Sequence, residues 1–106
     1  KQLPGINLFS NFLNLYIMYK VTQMTSPRTG NPVANQFEIR TPKGVYFQSY
    51  KSIIALVDNN NNIILDEYFY DYSRTTSKYL TEFLGINTQE RKKMIKNKEI
   101  KLKNLN

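Results

Sequence analysis

The densest run of side chains able to hold a ligand is Tyr72-Ser73-Arg74-Thr75-Thr76-Ser77-Lys78. Its hydroxyls, with Arg74 and Lys78, would stand beside the free backbone N–H groups and the positive dipole end of a helix beginning here, which suits phosphate or carboxylate. Ser and Thr are equally ordinary helix caps, and the run lacks the glycines that let a phosphate approach backbone closely. A second basic group follows at Arg91, Lys92, Lys93 and Lys96. Together with Arg74, Thr75 and Lys78 it forms the set expected to meet a nucleic acid or another anion.

Tyr46, Tyr50 and Tyr68 are the stacking candidates, because bases stack on exposed aromatic faces while neighbouring cations follow the phosphates. Arg40, Lys43 and Lys51 are near them in sequence. The competing expectation packs these tyrosines beneath helices with their hydroxyls reaching water. Arg28, between Pro27 and Gly30, is the candidate for presentation to a partner on a loop. Asp66, Glu67 and Asp71 are the closest approach to a divalent-ion set, but alternation sends Asp66 and Glu67 to opposite faces, so no metal site is expected.

The chain has no Cys and no His, which removes thiolate nucleophiles, Ser-His dyads, the usual zinc ligands and an imidazole acid or base near neutral pH. The expectation is a non-enzymatic protein without catalytic residues or cofactor. A length of 106 residues with 41% apolar content suits one folded domain. The net charge of +7 is uneven: residues 86–106 hold seven Lys and Arg against Glu90 and Glu99, so this basic C-terminal segment supplies five of the seven net charges. Such a balance suits a nucleic acid or an acidic surface of a host protein. Codon bias toward Lys and Asn would produce part of it without a partner.

The elements that must position these residues follow from periodicity. Residues 19–24 alternate as a strand, and Met24 to Pro32 reads as a loop broken by Pro27, Gly30 and Pro32. Asn35–Thr41 and Gly44–Tyr50 form a hairpin about Pro42-Lys43. The expected arrangement puts Phe37, Ile39, Val45 and Phe47 on one face and Gln36, Glu38, Arg40, Tyr46, Gln48 and Tyr50 on the other. Ile53–Asp58 and Asn62–Tyr70 make the next pair across an Asn tract, with Lys51–Ala55 alternatively a helical turn. Ser73 or Thr75 caps a helix buried through Tyr79, Leu80, Phe83 and Leu84 and ended by Gly85. Thr88 caps a basic helix, Gln89 to about Asn97, and Ile100–Lys103 adds an edge strand guarded by lysines.

Residues 1–17 differ. No charge occurs between Lys1 and Lys20, and Leu8, Phe9, Phe12, Leu13, Tyr16 and Ile17 recur as one helical stripe opposite Asn7, Ser10, Asn11 and Asn14. An amphipathic helical extension covering one sheet face is expected first, a homodimer seam second. The stretch is too interrupted to span a bilayer, and its polar face lacks the cations of a membrane-surface helix. Met18 is a possible alternative start. The fold class expected is α+β: an antiparallel four- to five-stranded meander packed with this helix and one or two C-terminal helices, residues 18–106 forming the domain.

Met24-Thr-Ser-Pro-Arg-Thr-Gly-Asn-Pro-Val-Ala-Asn-Gln-Phe, Tyr46-Phe-Gln-Ser-Tyr-Lys-Ser-Ile-Ile-Ala and Tyr70-Asp-Tyr-Ser-Arg-Thr-Thr-Ser-Lys-Tyr-Leu with Phe83-Leu84 resemble a family of small proteins of bacteriophages and mobile elements of low-GC Gram-positive bacteria. The likeness covers about residues 18–106. It implies an accessory protein in the cytoplasm of a bacterial host and brings no catalytic residues. Two functions follow as expectations: a nucleic-acid-binding accessory module, or an anti-CRISPR-like protein inhibitor docking through a sheet edge, the Arg28 loop or the basic helix.

Overall fold

The computed structural model describes residues 19–106, so the amphipathic extension at 1–17 and its proposed dimer seam lie outside the described residues. Among the described residues the architecture is α+β with a six-stranded mixed sheet and two helices. The strands are β1 (Lys20–Thr25), β2 (Pro32–Thr41), β3 (Gly44–Ser49), β4 (Ser52–Asp58), β5 (Ile63–Asp66) and β6 (Ile100–Lys103). Helices α1 (Arg74–Leu84) and α2 (Thr88–Lys96) lie between β5 and β6 in the chain. Spatial order equals chain order; pairs β1 to β5 are antiparallel, and β6 joins β5 in parallel. The expected meander of four or five strands therefore gains a sixth of opposite sense. A parallel return needs a crossover, and the two helices provide it.

The hairpin between β2 and β3 corrects the expected face assignment. Thr41 pairs with Gly44 across a two-residue loop, so Ile39 faces Tyr46 and Phe37 faces Gln48, while Glu38 faces Phe47 and Gln36 faces Ser49. Paired residues project to the same side, and a pairing that joins odd to even positions cannot place Phe37 and Ile39 with Val45 and Phe47. One side consequently carries Val45, Phe47, Ala55, Val57, Ile63, Leu65 and Ile100 beneath the helices. A register shift between Phe47 and Gln48 lets Ile54 join Ala55 in this core, both fully buried. The segment Lys51–Ala55 is thus turn and strand, not a helical turn. Gln36 is drawn inside by the same register, with neither amide atom hydrogen-bonded; nothing in the structure explains why an amide is kept there.

Helix boundaries follow their caps. Ser73, one of the two expected candidates, caps α1, its side chain accepting from the Thr76 N–H, and Gly85 closes the helix at φ +73°. For α2 the cap is Asn87, not Thr88: its side-chain oxygen accepts from the Glu90 N–H. Strand β5 stops at Asp66, four residues earlier than the alternation suggests, because the Asp66 carboxylate accepts from the Tyr68 and Phe69 N–H groups and turns the chain. It also accepts from the Leu105 N–H and the Asn106 amide, fastening the C-terminal residues. Burial alone would raise its pKa, but these four hydrogen bonds outweigh burial and hold it below the ordinary aspartate value.

Gly44 fixes the hairpin. Its φ is +140°, and an added Cβ would overlap the Val57 carbonyl oxygen and lie 2.7 Å from Asp58 Cα. Gly44→Ala is expected to cost about 3 kcal/mol or more in urea unfolding. Gly30→Ala also carries a positive φ, but nothing lies within 4 Å of its added Cβ, so its cost should be clearly smaller. Equal losses would show that the close approach at Gly44 is not what constrains the turn.

Candidate anion and nucleic-acid interface

The start of α1 is tied to the sheet by hydroxyls. Ser49 and Thr76 share a buried hydrogen bond of 2.9 Å, and Ser73 Oγ donates to Thr76 Oγ1 at 3.0 Å. Ser49 closes β3 on the helix-bearing side, so the register of the hairpin decides where α1 begins. With Thr76, Tyr79 and Leu80 facing inward, positions 74, 77, 78 and 81 fall together on the outer side at helical spacing.

Helix α2 reaches this outer side through Arg91. The Arg91 side chain is 2% exposed, with Nη1 donating to Thr81 Oγ1 at 3.1 Å and Nη2 to Ser77 Oγ at 3.0 Å. Burial lowers its pKa, with Asp71 and Tyr70 pulling the other way. An Arg remains charged under such a shift. Its direct partners are neutral hydroxyls, so the positive charge is held without being neutralised by contact. Beside it opens a groove of about 490 Å³ lined by Asp71, Ser73, Arg74, Ser77, Lys78, Thr81 and Thr88.

The structure thus brings Arg74 and Lys78 to one groove and corrects two expectations about it. Thr75 is exposed but does not line the groove, because the helical turn places it on another side. Arg91 is not an exposed phosphate contact; it is withdrawn into the packing between α1 and α2. Lys92, Lys93 and Lys96 are exposed. Lys92 and Lys96 continue from Thr88 at four-residue steps, whereas Lys93 points further from the groove.

The stacking candidates do not form one surface. Tyr46 is half-buried on the sheet side opposite the helices. Tyr50 sits in the β3–β4 turn in left-handed backbone, φ +57°, its N–H donating to the Asn35 carbonyl at 2.7 Å. Tyr68 is 81% exposed and meets Phe69 edge-on, and Phe69 meets Tyr72 edge-on. Sequence reasoning missed Tyr72 and Phe69 as members: both line a cleft with Tyr50, Lys51 and Ser49. A signal was present, since Tyr68-Phe69-Tyr70-Asp71-Tyr72 places four aromatic residues in five positions immediately before the Ser73 cap.

Arg28 lies at the tip of the β1–β2 loop, exposed, in a turn organised by Ser26, whose hydroxyl accepts from the Arg28 and Thr29 N–H groups. Antiparallel pairing places this loop, the Tyr50 turn, the aromatic loop and the start of α1 at one end of the sheet. Arg28 is across the sheet from the groove, since β1 and β2 are at the edge opposite β5 and β6. Among the described residues no three acidic, His or Cys side chains gather to hold a metal ion. No helix among them is long and apolar enough to cross a membrane.

A family model described as a family of unknown function, DUF8033, matches residues 19–101. The chain belongs to the DUF8033 family. The matched span holds both helices and all the groove and aromatic-cleft residues, and leaves residues 1–18 outside. No curated protein and no solved structure matches the chain.

In this DUF8033 chain, replacing Arg91 by Met is expected to lower stability by about 1–3 kcal/mol in urea unfolding, by removing two charged hydrogen bonds and leaving two hydroxyls to find new partners. Lys92→Met should stay within about 0.5 kcal/mol. Equal effects would mean that Arg91 does not join the helices.

Proposed function

We propose that the chain is a binding module for single-stranded nucleic acid, with phosphates along the groove between α1 and α2 and bases against the aromatic cleft. The observation that carries this reading is Arg74 and Lys78 lining one groove, with Arg91 buried behind its Ser77 and Thr81 hydroxyls, next in the chain to an aromatic loop bearing exposed Tyr68 and Tyr72. The two helices carry six Lys and Arg against only Glu82 and Glu90. Backbone phosphates gain by releasing counterions at such cations, and unpaired bases gain by stacking on tyrosines, about 1–3 kcal/mol each. Duplex is the poorer fit, because its bases are already stacked and cannot use the tyrosines. An accessory role in a phage or mobile element, within a bacterial cytoplasm, is the setting we propose from the resemblance.

Fluorescence anisotropy of labelled single-stranded and duplex oligonucleotides, at about 50 and 200 mM salt, tests this. Single strands should bind more tightly than duplex and lose affinity steeply with salt. Arg74→Ala with Lys78→Ala should weaken binding on the order of tenfold and lower the salt slope by about 1.4, the value for two lost single-strand phosphate contacts. Absence of binding at low salt, or an unchanged slope in the double variant, contradicts the proposal.

A further inference from the structure

On the helix-bearing side of the sheet, two adjoining clefts open beside the last turn of α1. Register accounts for their lining. Val45, Val57 and Ile63 pair in one row across β3, β4 and β5, and Glu38 pairs with Phe47 and Thr22, so its side chain shares the helix-bearing side. The first cleft, about 400 Å³, is walled by Val45, Val57, Ile63, Phe83 and Leu84, with Glu38 as its one carboxylate. The second, about 300 Å³, shares Glu38 and adds Glu82, Thr22, Met24 and Thr25. Glu38, half-buried, thus stands where the two clefts meet.

The charge here is opposite to that of the molecule as a whole. The chain holds fifteen Lys and Arg against eight Asp and Glu, yet among the described residues neither cleft is lined by a Lys or Arg. Glu38 and Glu82 therefore set a negative potential beside apolar walls, where it is least screened. A polyanion is repelled from this place, which separates it from the groove lined by Arg74 and Lys78.

We propose that the two clefts form one binding site for an amphiphilic amine, its apolar body on Val45, Val57, Ile63 and Phe83 and its ammonium at Glu38, towards Glu82. Small-molecule sites combine apolar walls with a few placed polar groups in this way. An ammonium donating to a carboxylate makes a charge-assisted hydrogen bond, stronger than a neutral one. A lysine of a partner protein carries the same ammonium, but its backbone amides would lie against apolar walls without partners, at a cost in free energy. A bare divalent ion is the poorer occupant, because no third acidic side chain joins the two among the described residues.

The test uses the full chain without oligonucleotide and three probes that share one body: phenylbutylamine, phenylbutanol and phenylpentanoate. Each is titrated and read at methyl and amide resonances. The amine should shift the Val45, Val57, Ile63 and Leu84 methyls and the Glu38 and Glu82 amides, and should bind about tenfold tighter than the alcohol. The carboxylate should bind most weakly of the three. Glu38→Gln should remove the amine's advantage and leave the alcohol unchanged, with unmoved Leu65 and Ile100 methyls showing that the fold is kept. Glu82→Gln, on the exposed side of the helix, leaves the sheet untouched and should lower the amine's affinity about threefold. The proposal is overturned by equal affinity for amine and alcohol, or by an amine preference that survives both variants. Perturbations centred on Phe69 and Tyr72, or no approach to saturation by about 10 mM, ample for a probe of this size, also overturn it.

Discussion

The register of the β2–β3 hairpin is the constraint from which the remaining geometry follows. A two-residue loop closed by Thr41 and Gly44, with Gly44 pressed against Val57, leaves one pairing available. That pairing puts Phe47 under α1 and Ser49 where it can bind Thr76. A slip of one residue would exchange the two faces of β3, exposing Phe47 and removing the hydroxyl that anchors the helix start. It also places Tyr46 and Leu56 together on the far side of the sheet.

The groove depends on this anchoring in turn. With the first turn of α1 fixed to β3, Ser77 and Thr81 stand at defined positions on the outer side, and Arg91 can bridge them from α2. The bridge joins two short helices that bury few apolar residues between them and places a positive charge where a polyanion would lie. Because its contacts are hydroxyls, the charge that holds the helices together remains available to act at a distance. Asp71, the one carboxylate lining the groove, attracts Arg91 and opposes an anion placed beside it.

Strong local signals in the sequence were legible and long-range ones were not. The Pro42-Lys43 turn, the Ser73 cap and the Gly85 stop each rest on residues within a few positions, and the structure has them in place. The face assignment failed because it used each strand's alternation and not the parity that a two-residue turn imposes between strands. The end of β5 was missed because apolar alternation through Tyr70 outweighed a local signal, the Asp66 carboxylate that accepts from the N–H groups two and three residues on; only its bonds to Leu105 and Asn106 were out of reach of the sequence. In the same way, Arg91 looked like one more surface cation in a Lys-rich helix; only the neighbouring helix, with Ser77 and Thr81 one turn apart, makes it an interior residue. The cluster of Arg74 and Lys78 was visible because helical spacing alone aligns them.

The most direct test of the account is an amide chemical-shift titration of the full chain with an unlabelled single-stranded oligonucleotide. Large perturbations are expected along Ser73–Thr81, at Thr88–Lys92 and at Tyr50, Tyr68 and Tyr72, with Ile39, Tyr46 and Leu56 little changed. Perturbations concentrated at Ile39, Tyr46 and Leu56, or none at saturating oligonucleotide, would contradict it.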